Sequence, residues 1–155
     1  MRLNIQLFAF IAAFFSLPST ALEGMVQVQS QYDVRTTTDR LIAAVRARGL
    51  NVISRIDHED GARETGKDLR PSELVTFGNP NMGTPLMECS QTAGIDQPQK
   101  ALIWEDDNGK VWLGYNNPNY VVKRHRLDKC DLALKKVEKA LVTLAKLATQ
   151  PTPQQ

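Results

Sequence analysis

Short stretches of this chain alternate apolar with polar residues, and the alternation changes period in a way that separates strands from helices. In "MVQVQS", Met25 to Ser30, Val26 and Val28 alternate with glutamines as a half-buried strand requires. The period then lengthens in "TTTDRLIAAVRARG", where Leu41, Ile42 and Val45 form one stripe of a helix. Thr36 and Asp39 have capping-box spacing at its start, and Gly49 suits a left-handed stop. A second alternating strand spans Leu50 to Ile56, followed by "DHEDGARETG", a short helix or turn closed by Gly66. A third strand, Leu74 to Phe77, leads into "FGNPNMGTPLMECS". There Thr84 and Pro85 have the chemistry of a helix cap and a first helical position, predicting a helix from Pro85 to about Thr92. After "AGIDQPQ", the strands "KALIWED" and "KVWLGY" are joined by Asp107-Asn108-Gly109, whose Asn-Gly step tolerates the positive φ of a hairpin turn. By parity Trp104 shares a sheet face with Leu102, while Trp112 parts from Val111 and Leu113.

About five strands interleaved with helices predict an α+β fold: two layers, a mostly antiparallel sheet with helices on one face, and a C-terminal helix. That last helix is predicted over 128–149, a run without glycine or proline. Cys130, Leu134, Val137, Leu141, Leu144 and Ala148 recur on one side of it in heptad-like steps. The stripe is expected to pack on its own domain, with pairing across a homodimer as the alternative. The domain core is set at 22–127, and the polar, proline-containing tail at 150–155 is expected to be disordered.

The amino terminus changes the picture of where the protein works. Arg2 precedes the apolar run Ile5 to Leu17, then Pro18 and the small residues Ser19, Thr20 and Ala21. That order reads as a secretory signal over 1–21, cleaved after Ala21, with an apolar run too short to span about 30 Å of hydrocarbon. The expected location is periplasmic or secreted, with no membrane span after cleavage. The whole chain carries net charge +2, one unit of it from Arg2. So nearly neutral a balance gives no electrostatic reason to expect nucleic acid as a partner. Cys89 and Cys130, the two cysteines, lack the spacing of zinc ligands and are expected to form one disulfide in an oxidising compartment. Such a bond would staple the final helix to the helix of the "FGNPNMGTPLMECS" corner.

Candidate chemistry is sparse. No Gly-x-Ser-x-Gly elbow and no phosphate loop is present, and Asp57-His58 are adjacent strand residues that point to opposite faces. The expectation therefore leans away from an enzyme and toward a domain that binds an unknown small ligand. A helix start at the corner leaves free N–H groups beside Asn79 and Thr84, suited to an anion or a carbonyl. Trp104, Trp112 and Tyr115 offer an apolar wall. No cofactor is required. The alternative is a metal- or haem-handling redox protein, in which His58 and His125 converge with Met82 or Met87 on copper or a non-covalent haem.

Two further runs carry a family resemblance: "VISRIDHEDGAR" with "LRPSELVTFGNPNMGTPLM", and "IWEDDNGKVWLGYNNPNYVVKRH". With Gly78-Asn79-Pro80, Gly83-Thr84-Pro85, Tyr115-Asn116 and Arg124-His125, the chain from about Val26 to Leu127 resembles exported members of the family called domain of unknown function 302. The resemblance implies a small α/β domain able to assemble as a dimer, and no activity. It adds Tyr115, Asn116 and His125 to Asn79 and Thr84 as candidate ligand-contacting residues. Asn117 stands where the family usually has aspartate, Gln97 where it tends to have an apolar residue, and the helix after His125 extends the core domain.

Overall fold

Alternation in the strands sorts their side chains onto two faces of one sheet. The computed structural model describes residues 22–151; the expected signal segment and the last residues of the tail lie outside them. In chain order the elements are β1 (Met25–Gln29), α1 (Val34–Ala47), β2 (Asn51–Asp57), α2 (His58–Glu64), β3 (Ser72–Gly78) and α3 (Pro80–Cys89). A 3-10 turn, Gln91–Asp96, leads to β4 (Gln99–Glu105), β5 (Val111–Asn116), α4 (Pro118–His125) and α5 (Asp131–Thr149). The strands lie in the order β1-β5-β4-β3-β2, and every neighbouring pair is antiparallel.

Register decides what each face carries. Val26 stands opposite Tyr115, Tyr115 opposite Ala101, and Ala101 opposite Val75; the next row runs Val28, Leu113, Ile103 and Glu73. These rows meet α1 and α5, and Val75, Ile103, Leu113, Leu41, Val45, Leu141 and Leu144 are buried between the layers. The opposite face carries the row Gln27, Gly114, Leu102, Leu74 and Ile56, and Trp104 beside Trp112. This second face is largely open: Leu102 and both tryptophans are half-buried, and Ile56 is exposed. One face of an antiparallel sheet covered and the other wet is the arrangement that an alternating pattern permits.

The one charged side chain buried on the covered face is neutralised there. Glu73, 5% exposed, accepts from Arg55 Nε at 2.6 Å and Nη2 at 2.9 Å, and Arg55 Nη1 donates to Asp39 on α1 at 2.7 Å. A forked guanidinium matches a carboxylate bidentately, so β2 is tied to β3 and to α1 through one side chain. The Glu73 hydrogen bonds first, and the Asp39 bond after them, hold the Arg55 guanidinium above its usual pKa.

Local signals place three helix starts differently from the sequence expectation. α1 begins at Val34, where Asp33 accepts from the N–H of Thr36 at 2.7 Å and from its hydroxyl at 2.8 Å. The Thr36 and Asp39 capping box is therefore not the cap; an earlier aspartate takes the orphan donor. α3 begins at Pro80, not Pro85, because Asn79 Oδ1 accepts from Met82 N–H at 3.0 Å and Pro80 already supplies a first position needing no N–H. Pro85 then lies inside the helix, as its sixth residue, and forfeits a bond to the carbonyl of Asn81. α4 is an element that the alternation did not signal: Asn117 accepts from Asn119 N–H at 2.9 Å, Pro118 follows, and the helix stops at Arg126, whose φ is 56°.

The C-terminal helix does bury Val137, Leu141, Leu144 and Ala148, and it packs on α1 and β1. Its end is capped from α1. Arg40 donates to the carbonyls of Leu147 at 2.9 Å, Ala148 at 3.1 Å and Gln150 at 2.7 Å, while its guanidinium lies 4.4 Å from the Tyr32 ring centre. A cation there satisfies orphan carbonyls and complements the negative end of the helix. At the other end, Cys89 and Cys130 are disulfide-bonded, with Cα atoms 6.4 Å apart, joining the last residue of α3 to the residue before α5.

Candidate functional site

A cleft opens where the chain turns from β3 into α3. Gly78 leaves the strand at φ 151°, Asn79 caps α3, and the 3-10 turn returns past Gln97-Pro98 into β4. Between them is a hollow of about 340 Å³ lined by Ile53, Asn79, Met82, Gly83, Thr84, Met87, Gly94, Gln97 and Pro98, among others. Two glycines keep its walls close: a Cβ on Gly83 would meet Gln97 Oε1 at 3.3 Å, and one on Gly94 would meet Met87 Sδ at 3.3 Å. Gln97 Oε1 accepts from Gln99 Nε2 at 3.2 Å, but Gln97 Nε2 is buried with no partner in the structure. An unmade hydrogen bond of this kind costs about 1–3 kcal/mol, so the amide is a donor without its acceptor. On the other side of α3 a second hollow, about 380 Å³, lies against α5 and shares Asn79 and Met82 with the first.

The sequence-predicted residues divide between this corner and elsewhere. Asn79 and Thr84 line the cleft, yet the free helix start expected at Thr84 is not there. Because α3 begins at Pro80, which has no N–H, and Asn79 occupies the N–H of Met82, the orphan donor remaining in that first turn is Asn81. Met82 and Met87 line the cleft, but neither histidine does. His58 is exposed at the first position of α2, and His125 is buried at the end of α4. The proposed copper or haem set of His58, His125, Met82 and Met87 is therefore not brought together. Among the described residues no group of three or more His, Cys, Asp or Glu is arranged to hold a metal ion.

Tyr115 and Asn116 part because adjacent strand residues face opposite ways. Tyr115 is buried on the core face, where burial, and secondarily the Glu138 carboxylate, raise its phenol above the usual pKa. Asn116 lies on the open face opposite Met25. The apolar wall expected from Trp104, Trp112 and Tyr115 is thus two tryptophans on one face and the tyrosine on the other.

His125 belongs to a separate cluster. Its Nε2 lies 2.6 Å from Asp96 Oδ2 and its Nδ1 3.0 Å from Thr92 Oγ1, which is 2.9 Å from Ser90 Oγ. Arg124 Nη1 is 3.3 Å from both Asp96 oxygens. Asp96 and His125 are 8% and 7% exposed, whereas Thr92 is open to solvent. Thr92 and Asp96 did not stand out in sequence because they meet His125 only through the packing of the 3-10 turn on α4. Gln97 stood out solely as a polar residue in a usually apolar position.

An open-faced, five-stranded antiparallel sheet backed by two helices, with a cleft at the β3–α3 corner, defines the class of domain. The chain belongs to the family described as domain of unknown function DUF302, whose family model matches residues 26–144. That match takes in most of α5, so the final helix lies within the family domain and is not an addition to it. A crystal structure of a conserved DUF302 protein from Bacillus stearothermophilus has the same fold, with TM-score 0.73 and 17% sequence identity, over 82% of this chain and 99% of that one. Two curated relatives are longer. The fluoride-specific ion channel FluC 1 of Brucella suis biovar 1 (strain 1330) is 44% identical over 126 residues, which are 81% of this chain and 50% of that protein. FluC 2 of Brucella melitensis biotype 1 is also 44% identical, over 81% of this chain and 47% of its own length. The chain thus spans about half the length of the channel proteins it matches. No helix among the described residues is long and apolar enough to cross a membrane.

Proposed function

We propose that this is an exported small-ligand-binding domain whose ligand seats in the β3–α3 corner cleft. The observation that carries the reading is the buried, unpartnered Nε2 of Gln97, a residue lining a hollow that Asn79 and Thr84 share with Ile53, Met82, Met87 and Pro98. Pockets for small molecules are typically apolar with a few placed polar groups, and a free amide donor selects a carbonyl or carboxylate oxygen. Met82, Met87, Ile53 and Pro98 would surround the apolar body of such a ligand. Native mass spectrometry of the protein purified from its own compartment tests this: a bound small molecule is expected on the wild type and absent from Gln97→Leu. Wild-type protein free of any adduct, or a variant that keeps it, rejects the reading.

A second reading rests on the relatives. A domain 44% identical to half of a fluoride channel is suited to act beside such a channel, as an accessory module rather than the conducting part. Deleting this protein should then raise the fluoride sensitivity of the cell. Unchanged growth across a fluoride series removes the accessory role and leaves the ligand-binding reading standing.

A further inference from the structure

We propose that Thr92 is an activated nucleophile, served by His125 as general base with Asp96 behind it, and that it accepts acyl groups from small esters. A nucleophile and base within hydrogen-bond reach, with the base held by a third group, is the general arrangement of covalent acyl transfer. Here the three side chains come from the 3-10 turn and the end of α4, away from the corner cleft.

A carboxylate only accepts, so the 2.6 Å contact calls for a proton on His125 Nε2, and in the neutral imidazole Nδ1 is then the acceptor. Thr92 Oγ1, 3.0 Å from Nδ1, then donates to it, and Ser90 Oγ donates to Thr92 at 2.9 Å. Burial protects the Asp96–His125 bond from water, while Thr92 is an exposed residue. Arg124, 3.3 Å from both carboxylate oxygens, balances the charge of Asp96 from the solvent side. A structural pin between the turn and α4 would use the same Asp96–His125 bond, but it would not need the hydroxyl of an exposed residue on the second ring nitrogen.

The step balances without a cofactor. Thr92 Oγ1 bonds to the ester carbonyl carbon as its proton passes to His125 Nδ1, and the resulting imidazolium is held by Asp96. The carbon–oxygen bond to the leaving alkoxide breaks, and the imidazolium supplies its proton. Water then attacks the acyl-threonine, gives a proton to Nδ1 and releases the acid, and Thr92 recovers its proton. Because Thr92 stands exposed on a turn, the substrates are small acyl esters rather than long-chain ones.

p-Nitrophenyl acetate tests this on the full exported chain, with nitrophenolate release followed by absorbance and the acetyl group located by peptide mass spectrometry. Acetylation at Thr92 is expected, retained by Thr92→Ser and abolished by Thr92→Val. His125→Gln should slow it by about 100-fold or more, the lower end of what general-base catalysis contributes. Circular dichroism confirms that each variant is folded, and Thr92→Val, at an exposed position, decides the matter if His125→Gln is not. Acetyl groups on Ser90 or on lysines without Thr92, or wild-type release by Thr92→Val, overturn the proposal.

Discussion

Reduction of the Cys89–Cys130 bond is the perturbation whose size the structure fixes best. The bond closes a loop between positions 41 apart, with Cα atoms 6.4 Å apart, within the usual range for disulfides. Releasing a loop of that length returns about 4 kcal/mol of chain entropy to the unfolded state. About 130 residues are described, and unfolding near 60 °C gains about 2.1 cal/mol/K for each, or roughly 0.27 kcal/mol/K in all. The ratio predicts a fall of about 15 °C in Tm. Differential scanning calorimetry with and without reductant measures it on one sequence, and Cys89→Ser, at an exposed position, repeats it without reductant. Cys130 is buried, so a substitution there would mix loop entropy with lost packing. A shift below about 3 °C in both experiments would refute the entropic reasoning, since that is what less than 1 kcal/mol produces at this size. Alkylation of two free thiols in unreduced, unfolded protein would remove its premise.

Four other outcomes follow from particular contacts. Arg55→Met leaves Glu73 buried without its partner and should cost about 3 kcal/mol in urea unfolding, while adding Glu73→Leu should recover most of that; equal losses in both variants would refute the pairing argument. Arg40→Ala removes three donors from the end of α5 and should cost about 2 kcal/mol, with faster amide exchange confined to the last turn of that helix; unaltered exchange there would contradict it. Gly114→Ala would put a Cβ 2.7 Å from Met25 Sδ and 2.9 Å from Trp104 Cζ3, so a loss of about 1–2 kcal/mol with altered tryptophan emission is expected, and unchanged emission would show that the indole does not abut the strand. Tyr115, whose folded pKa is raised above the usual 10.0 of a phenol, adds stability fully present below pH 10 and lost as pH rises through the folded value; Tyr115→Phe should reduce the alkaline decline in Tm and remove a late component of the tyrosinate absorbance.

What could be read from sequence was what depends on near neighbours. Alternation in "MVQVQS" and "KVWLGY" gave the strands, parity put Trp104 with Leu102, and the Asn-Gly step placed the hairpin. Cap positions were harder, because Asp33, Thr36, Asn79 and Thr84 are all competent caps and the choice among them depends on where the preceding strand ends. Strand β3 runs through Gly78, so Asn79 falls at the first turn and preempts Thr84. Apart from the pairing of the two cysteines, side-chain contacts between distant segments were not legible. Asp96 to His125 spans 29 positions, and no period in sequence announces that a 3-10 turn will lie on α4.

That difference also explains why the histidines lie apart from the corner that holds both methionines. The imidazoles and thioethers were grouped because each follows a strand or sits in the same motif, a criterion blind to side-chain direction. Met82 and Met87, five positions apart on α3, both line the cleft. His125, at the end of another helix, is spent on Asp96 and Thr92. What the corner acquires in place of imidazole is an amide, brought to Gly83 by the return of the chain at Gln97. Its natural complement is a neutral or anionic oxygen and not a soft metal, because an N–H donor repels a cation that thioethers would otherwise accept. The apolar methionines and the unpaired amide therefore select together for an oxygen-bearing organic ligand, and Gln97→Leu separates that demand from simple apolar filling of the same hollow.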